Sequence, residues 1–493
     1  MEVACPIDAR FPDEISSLLK PLPPRQVQEY FDHLVKAREC RGLVVKQDGQ
    51  HGKGVYADVD FKEGGLVLKD QMLAGAQHFA NKFDCLVCGF CFRFIGSIEL
   101  QIGRKLCFQD LGVSANNECD GQTFLHMPEE KHKVDSSNGE DDLYKEDSRG
   151  LGECASSSSK YQTPLSEGVA QSLMNGELVL PYSDKFPLPE VIFCPGGCRE
   201  AFYCSKFCAD ADWDMFHSLL CVGSNSKSSN KGALQKFMRH ANETNDIFLL
   251  AAKVVAFVIL RYKKLKAADL DKQEKCTGSC DLSLLLEAWK PVAMGYKRRW
   301  WECIALPDDI DCCDESEFRM QIKELAFTSL QLLKAAIFDE ECEPLFSLEI
   351  YGHIIGMFEL NNLDLVVASP VEDYFLYIDD LQRSEKKQAE RITGPLLDAL
   401  GHDYSVHCEG TAFFPLQSCM NHSCDPNVKA FKRDEDRDGQ ATIIALRPIS
   451  KGEEVTISYI DEDLPFEDRQ TLLADYGFRC RCPKCLREGP HET

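Results

Sequence analysis

Basic residues are scarce in this 493-residue chain: 55 lysines and arginines stand against 80 acidic residues, a formal charge of −25. Such a surface repels phosphate backbones, so non-specific nucleic-acid binding and sequence-specific DNA binding are not expected; it attracts basic partners instead. Long apolar runs are missing too. The longest, 247–260 (IFLLAAKVVAFVIL), carries Lys253 and is too short to cross a bilayer, so it reads as a buried helix with no membrane partner. The N-terminus, MEVACPIDAR, lacks a charged segment followed by an apolar core, which sets the expectation of a chain that is not secreted. No internal repeat is visible in the sequence.

What the chain has instead is cysteine, 25 in all, with 44% hydrophobic residues, ample for buried cores in two or three domains. A reducing compartment keeps thiols free, and clustered cysteines there usually hold metal.

Residues 1–40 read as amphipathic helices around the turn at Pro21–Pro24. From 41 to 84 short apolar runs at 43–45, 55–57 and 66–68 alternate with glycine-bearing turns, the pattern of a small antiparallel sheet. The cysteine-rich stretch 85–222 follows; within it 92–108 reads as a hairpin about Gly96, and the polar segment at about 114–168 as a disordered insertion. Helical patterns fill 223–345, with Lys297-Arg298-Arg299 as a solvated helix face, and continue to 359. The part from 346 to 479 returns to strands at 442–446 and 454–459, and 480–493 is a cysteine-rich tail.

Cys204 and Cys208 lie one helical turn apart, as do His217 and Cys221, so each pair offers half of a tetrahedral site. The missing halves lie upstream, Cys85 with Cys88 and Cys194 with Cys198, giving eight ligands for two zinc ions. Cys91 forms a second Cys-x-x-Cys with Cys88 and competes as a ligand. Cys480, Cys482 and Cys485 make an incomplete third set, for which Cys424 is the natural fourth member.

Tyr203, Cys204, Ser205, Cys208, Trp213, His217 and Cys221 resemble the ending of a MYND zinc finger. That resemblance implies interleaved sites: Cys85, Cys88, Cys204 and Cys208 on one zinc, Cys194, Cys198, His217 and Cys221 on the other. With Gly52-Lys53-Gly54, the heptad NHSCDPN at 421–427, Tyr459 and the tail from Tyr476 to Cys485, the chain resembles the SET and MYND family of protein lysine methyltransferases, and plant trithorax-related histone methyltransferases within it. The implied fold is α+β: a mainly β SET fold interrupted by a MYND finger, with a helical insert and a post-SET zinc tail.

The resemblance implies S-adenosyl-L-methionine as methyl donor and three structural zincs. Gly52, Lys53 and Gly54 would approach the donor by backbone; Asn421 and His422 would bind its amino-acid and adenine portions, and Asn361 would add a further contact, with Asn362 an alternative. Tyr459 would orient the lysine amine, and Tyr476 and Phe478 would line its channel. The expected substrate is a basic protein such as a histone tail, the finger would recruit partner proteins, and the protein would reside in the nucleus, with the cytoplasm as a second compartment. The rival readings are an inactive zinc-built scaffold and a methyltransferase of non-histone proteins.

Overall fold

The computed structural model describes residues 4–48, 52–110, 168–226, 230–270, 281–307, 314–401, 404–433 and 435–489. Apart from Gly168, the insertion expected at about 114–168 lies outside the described residues. The chain divides into two units, one of Met1–Gly96, Leu188–Ser369 and Val406–Thr493, the other of Ser97–Pro187 and Pro370–Ser405.

Among the described residues the strands are β1 Leu43–Asp48, β2 Gly52–Ala57, β3 Leu66–Asp70, β4 Ala74–Gln77, β5 Ile192–Phe193, β6 Phe202–Tyr203, β7 Asn362–Val367, β8 Cys408–Phe413, β9 Asn421–His422, β10 Val428–Ala430, β11 Ala441–Ala445 and β12 Glu454–Ile457. They form small sheets in the orders β1-β2-β12-β9, β10-β11-β3, β4-β8-β7 and β5-β6. Alternation along the strands sends Val45, Val55, Leu68, Val428, Ile443, Val455 and Ile457 into one core with Leu416 and Met420.

The 247–260 run is indeed buried helix, within Ile247–Leu270. Phe248, Leu250, Ala252, Val254, Ala256 and Leu260 are buried, spread around most of its circumference, as a largely apolar helix requires. Lys253 is accommodated because its ammonium donates to the Gly75 carbonyl at 2.7 Å. The helices Leu282–Ala293, Glu315–Ile337 and Leu348–Asn361 share that core. No described helix is long and apolar enough to cross a membrane.

Helices Pro6–Arg10, Pro12–Leu19 and Pro24–Ala37 each begin on proline, whose fixed φ and missing N–H suit a first turn. They are bound into the first unit: Trp289 donates to the Leu18 carbonyl at 2.8 Å, and Asp8 accepts from the Leu348 N–H at 3.0 Å. Just beyond them Arg38 pairs with the buried Asp70, whose other oxygen accepts from the backbone of Leu416 and Gln417 at 2.7 and 2.9 Å. Asp70 thereby fixes the turn that leads into β9.

The second unit is helical: Ile98–Asp110, Val169–Met174, Pro370–Asp379 and Arg383–Leu400. Here the expected hairpin over 92–108 is corrected. Ile98, Ile102 and Leu106 recur at helical spacing and pack with Leu173, Tyr374 and Leu396, so the chain turns at Gly96 into a helix rather than back on itself.

Candidate active site and metal centres

Strand β12 is the structural pivot. It runs antiparallel to β2, with Glu454 opposite Tyr56 and Val455 opposite Val55, and parallel to β9, with Thr456 opposite Asn421 and Ile457 opposite His422. The Gly-Lys-Gly stretch and the heptad, more than three hundred residues apart in sequence, therefore flank one strand. Asn427 locks this arrangement: its amide donates to the Glu454 carbonyl at 2.7 Å and its oxygen accepts from the Thr456 N–H at 2.8 Å. Sequence reading gave Asn427 no role.

Gly52 has φ +80°, a left-handed conformation that favours glycine. At Gly54 a Cβ would stand 2.8 Å from Glu454 Oε1, 3.0 Å from the Tyr56 ring and 3.2 Å from Asn421 Nδ2, so any side chain there must displace these groups. Lys53 sends its ammonium to the Met294 carbonyl and over the Phe31 ring at 5.5 Å. Asn421 donates to Glu454 Oε1 at 2.7 Å.

Tyr459 lies just past β12, in a bend, and its ring packs against the core that holds Val455 and Ile457. Its N–H donates to His422 Nδ1 at 3.0 Å and its hydroxyl to the Met420 carbonyl at 2.6 Å. Burial pushes that hydroxyl above the ordinary phenol range. Since Nδ1 accepts, Nε2 carries the His422 proton and points it at Cys424 Sγ, 3.2 Å away. Both ring nitrogens are thus committed within the protein, and His422 offers a ligand only its ring face and backbone. Around it gather the rings of Tyr459 at 5.3 Å and Phe478 at 5.9 Å, with Tyr476 5.2 Å from Tyr459.

Asn361 ends the Leu348–Asn361 helix, and its amide donates to the Tyr296 and Met357 carbonyls at 2.6 and 2.8 Å. This exposes a segment that the sequence did not reveal. Residues 294–298 form a connecting loop rather than the solvated helix face expected for 297–299. The loop's carbonyls receive Lys53 and Asn361; Lys297 turns its ammonium back onto the Val292 and Gly295 carbonyls at 2.8 and 2.9 Å. Burial, with the Lys53 charge nearby, brings Lys297 down to about 7. Tyr296 and Arg298 reach Gly477, between Tyr476 and Phe478: a Cβ there would stand 3.9 and 3.7 Å from them. The only local signal was Gly295, set where an apolar helix gives way to a basic run.

Among the described residues three clusters have metal-ligand geometry, the four donor atoms of each lying within 4.8 Å of one another: Cys88, Cys91, Cys204 and Cys208; Cys194, Cys198, His217 and Cys221; and Cys424, Cys480, Cys482 and Cys485. Sulfur separations of 3.5 Å for Cys91–Cys204, Cys204–Cys208 and Cys424–Cys485, and 3.7 Å for Cys194–Cys221, are edges of a tetrahedron with sulfurs about 2.3 Å from its centre, the Zn–S distance. Four ligands per cluster leave no open position, as in structural rather than catalytic zinc sites.

The first cluster corrects the expected ligand set. Cys85 stands outside it; its thiol is directed at the Val406 and His407 carbonyls at 3.4 and 3.3 Å, and Cys91 takes its place. Cys88 and Cys91 bracket a tight turn in which the Phe92 N–H bonds back to the Cys88 carbonyl, which brings both sulfurs to one side. The hydrogen bond from Cys91 pulls the Cys88 thiol below the ordinary thiol range.

The tail cluster has a charged support that sequence reading missed. Arg469, fully buried, donates to the Leu464 carbonyl and to Glu488 at 2.6 Å, with Cys485 Sγ at 3.9 Å. Gln470 adds bonds to the Cys480 backbone and, at 3.3 Å, to Cys485 Sγ. A guanidinium there would offset the negative charge of four thiolates gathered on a metal.

The chain matches the SET domain over residues 298–460 and the MYND finger over 189–221. It is 63% identical over 481 residues to Histone-lysine N-methyltransferase ATXR2 of Arabidopsis thaliana, covering 98% of both chains. It is also 25% identical over 339 residues to Protein-lysine N-trimethyltransferase SMYD5 of Gallus gallus, covering 65% of this chain and 72% of that one. A SET and MYND domain-containing protein of Dictyostelium discoideum is 29% identical over 293 residues, 59% of this chain and 65% of its own.

Proposed function

Because the chain belongs to the SET and MYND family of protein-lysine methyltransferases, we propose that it methylates lysines of histone tails. S-adenosyl-L-methionine, when bound, supplies the methyl group as a positively charged sulfonium. The observation that carries the reading is the convergence of Gly54, Asn421 and Tyr459 about β12.

In this reading the backbone of Gly52 to Gly54, the amide of Asn421 and the Asn361 oxygen hold the donor. Tyr459, its hydroxyl anchored on the Met420 carbonyl, fixes the lysine amine, while Tyr476 and Phe478 wall the approach and keep out water. A free lysine has a pKa of about 10.4, so presenting it as the amine at neutral pH costs about 4 to 5 kcal/mol. Aromatic burial disfavours the ammonium and lowers that cost. What remains is alignment, which the bonded pair Tyr459–His422 fixes in place.

Each of the three clusters would take one zinc, with Cys91 rather than Cys85 in the first. The tail zinc would tie Cys424 to Cys480, Cys482 and Cys485, holding Tyr476 and Phe478 over the heptad. A nuclear residence follows from a histone substrate.

A second role, recruitment of partner proteins, is favoured by the finger's surface, where Phe207 is 76% and Phe193 57% exposed. Labelled methyl transfer to core histones tests the main reading; peptide arrays that favour another basic protein would move the substrate assignment without moving the chemistry.

A further inference from the structure

The Leu348–Asn361 helix, which brings Asn361 to the site, also carries Glu359 two residues earlier. This carboxylate is largely buried, and burial pushes its pKa upward. Its Oε2 accepts from the indole N–H of Trp300 at 3.2 Å, and Trp300 is itself 1% exposed, so the carboxylate is held in one orientation. Its charge also reaches Tyr476, whose hydroxyl is raised by burial first and by Glu359 next, and the Tyr476 ring lies 5.2 Å from that of Tyr459, tilted by 41°.

Among the described residues Glu359 forms no ion pair, and the arginines close to Trp300 and Trp301 in the chain or bonded to them are engaged elsewhere. Arg299 is taken by Glu302 and Glu349, and Arg319 by Glu315 and the Trp301 carbonyl. Arg298 donates to the Glu302 carbonyl at 3.5 Å and lies against Gly477. A partly desolvated carboxylate without a counter-ion is costly, and a site that admits a cationic substrate can supply one.

We propose that Glu359 is a substrate-binding residue that receives a cationic side chain of the basic peptide beside Tyr476. The inference rests on the lysine methyltransferase reading. The cation has two sources, the target lysine's own ammonium on its way in or a lysine or arginine flanking it.

The test is Glu359→Gln in the full zinc-loaded chain, since Gln keeps an acceptor for Trp300 and removes only the charge. Binding of a fluorescent basic peptide is measured by anisotropy with S-adenosylhomocysteine present, alongside steady-state methyl transfer. Loss of a charge-assisted hydrogen bond predicts a roughly tenfold to hundredfold rise in peptide Kd and KM, with kcat and S-adenosylhomocysteine affinity nearly unchanged. A penalty that vanishes when one flanking basic residue of the peptide is replaced by Gln assigns the cation to that residue. A penalty that survives on a peptide whose target lysine is its sole cation assigns it to the target. Unchanged peptide binding overturns the proposal, as does a loss matched by equal loss of S-adenosylhomocysteine binding. Should the Gln variant not fold, Glu359→Asp keeps the charge, shortens its reach and carries the same prediction in weaker form. A wild-type chain that binds peptide but transfers no methyl contradicts the methyltransferase reading and leaves the Glu359 comparison intact.

Discussion

Asn421 and Gly54 meet across β12: the Asn421 amide lies 3.2 Å from the place where a Gly54 side chain would begin, and both crowd Glu454 Oε1. The N-terminal glycine turn and the C-terminal heptad thus close on each other so tightly that a methyl group at 54 must displace the Glu454 and Asn421 side chains.

Gly54→Ala should therefore push Asn421 and Glu454 apart at the donor site. We expect S-adenosylmethionine affinity by calorimetry to fall at least about tenfold, with a drop in stability of roughly 1 to 3 kcal/mol from overpacking. Wild-type affinity in a folded Gly54→Ala protein would falsify the placement of the donor.

Tyr459→Phe removes the hydroxyl bonded to the Met420 carbonyl and leaves the ring packed against Tyr476 and His422. The expected outcome is a fall in kcat of about a hundredfold or more with donor affinity little changed, as for loss of one preorganised polar group. Single-turnover methyl transfer beside calorimetry separates these two quantities.

The metal assignments predict a contrast between neighbouring cysteines. Native mass spectrometry should find three zincs in the wild type and in Cys85→Ser, but two in Cys91→Ser. The reverse pattern would restore Cys85 to the first site.

Lys297 gives a pH prediction. Its pKa is depressed to about 7, from 10.5 in the open chain, by burial and by Lys53. Between those values the unfolded chain binds the extra proton, so this group makes stability rise with pH from about 7 to 10.5. Thermal melts of wild type and Lys297→Met should diverge across that window, with the wild type gaining on the variant as pH rises. Parallel curves would contradict the burial of this ammonium.

The parts of the site written as short local patterns were legible in the sequence. Gly52 to Gly54, the heptad and the tail cysteines declare themselves by spacing, and the structure gathers them around β12 and beside Cys424. Cys91 was not separable from Cys85, because C-L-V-C and C-G-F-C have the same spacing and only the turn at Phe92 chooses between them. The helix at 98–110 was misread because short apolar runs near glycine fit either period. The loop at 294–298 and the buried Arg469 were illegible for another reason. Their roles consist largely of bonds to groups distant in sequence, Lys53 and Asn361 to the loop carbonyls and Arg469 to Cys485 and Glu488, which no local pattern encodes.

The most direct test is transfer of labelled methyl from S-adenosylmethionine to purified core histones by the zinc-loaded protein, wild type beside Tyr459→Phe. Label on histone lysines with the wild type, and its near disappearance in a variant that still binds the donor, is the predicted result. Equal labelling by the two proteins, or a wild-type chain that does not bind S-adenosylmethionine, would contradict it.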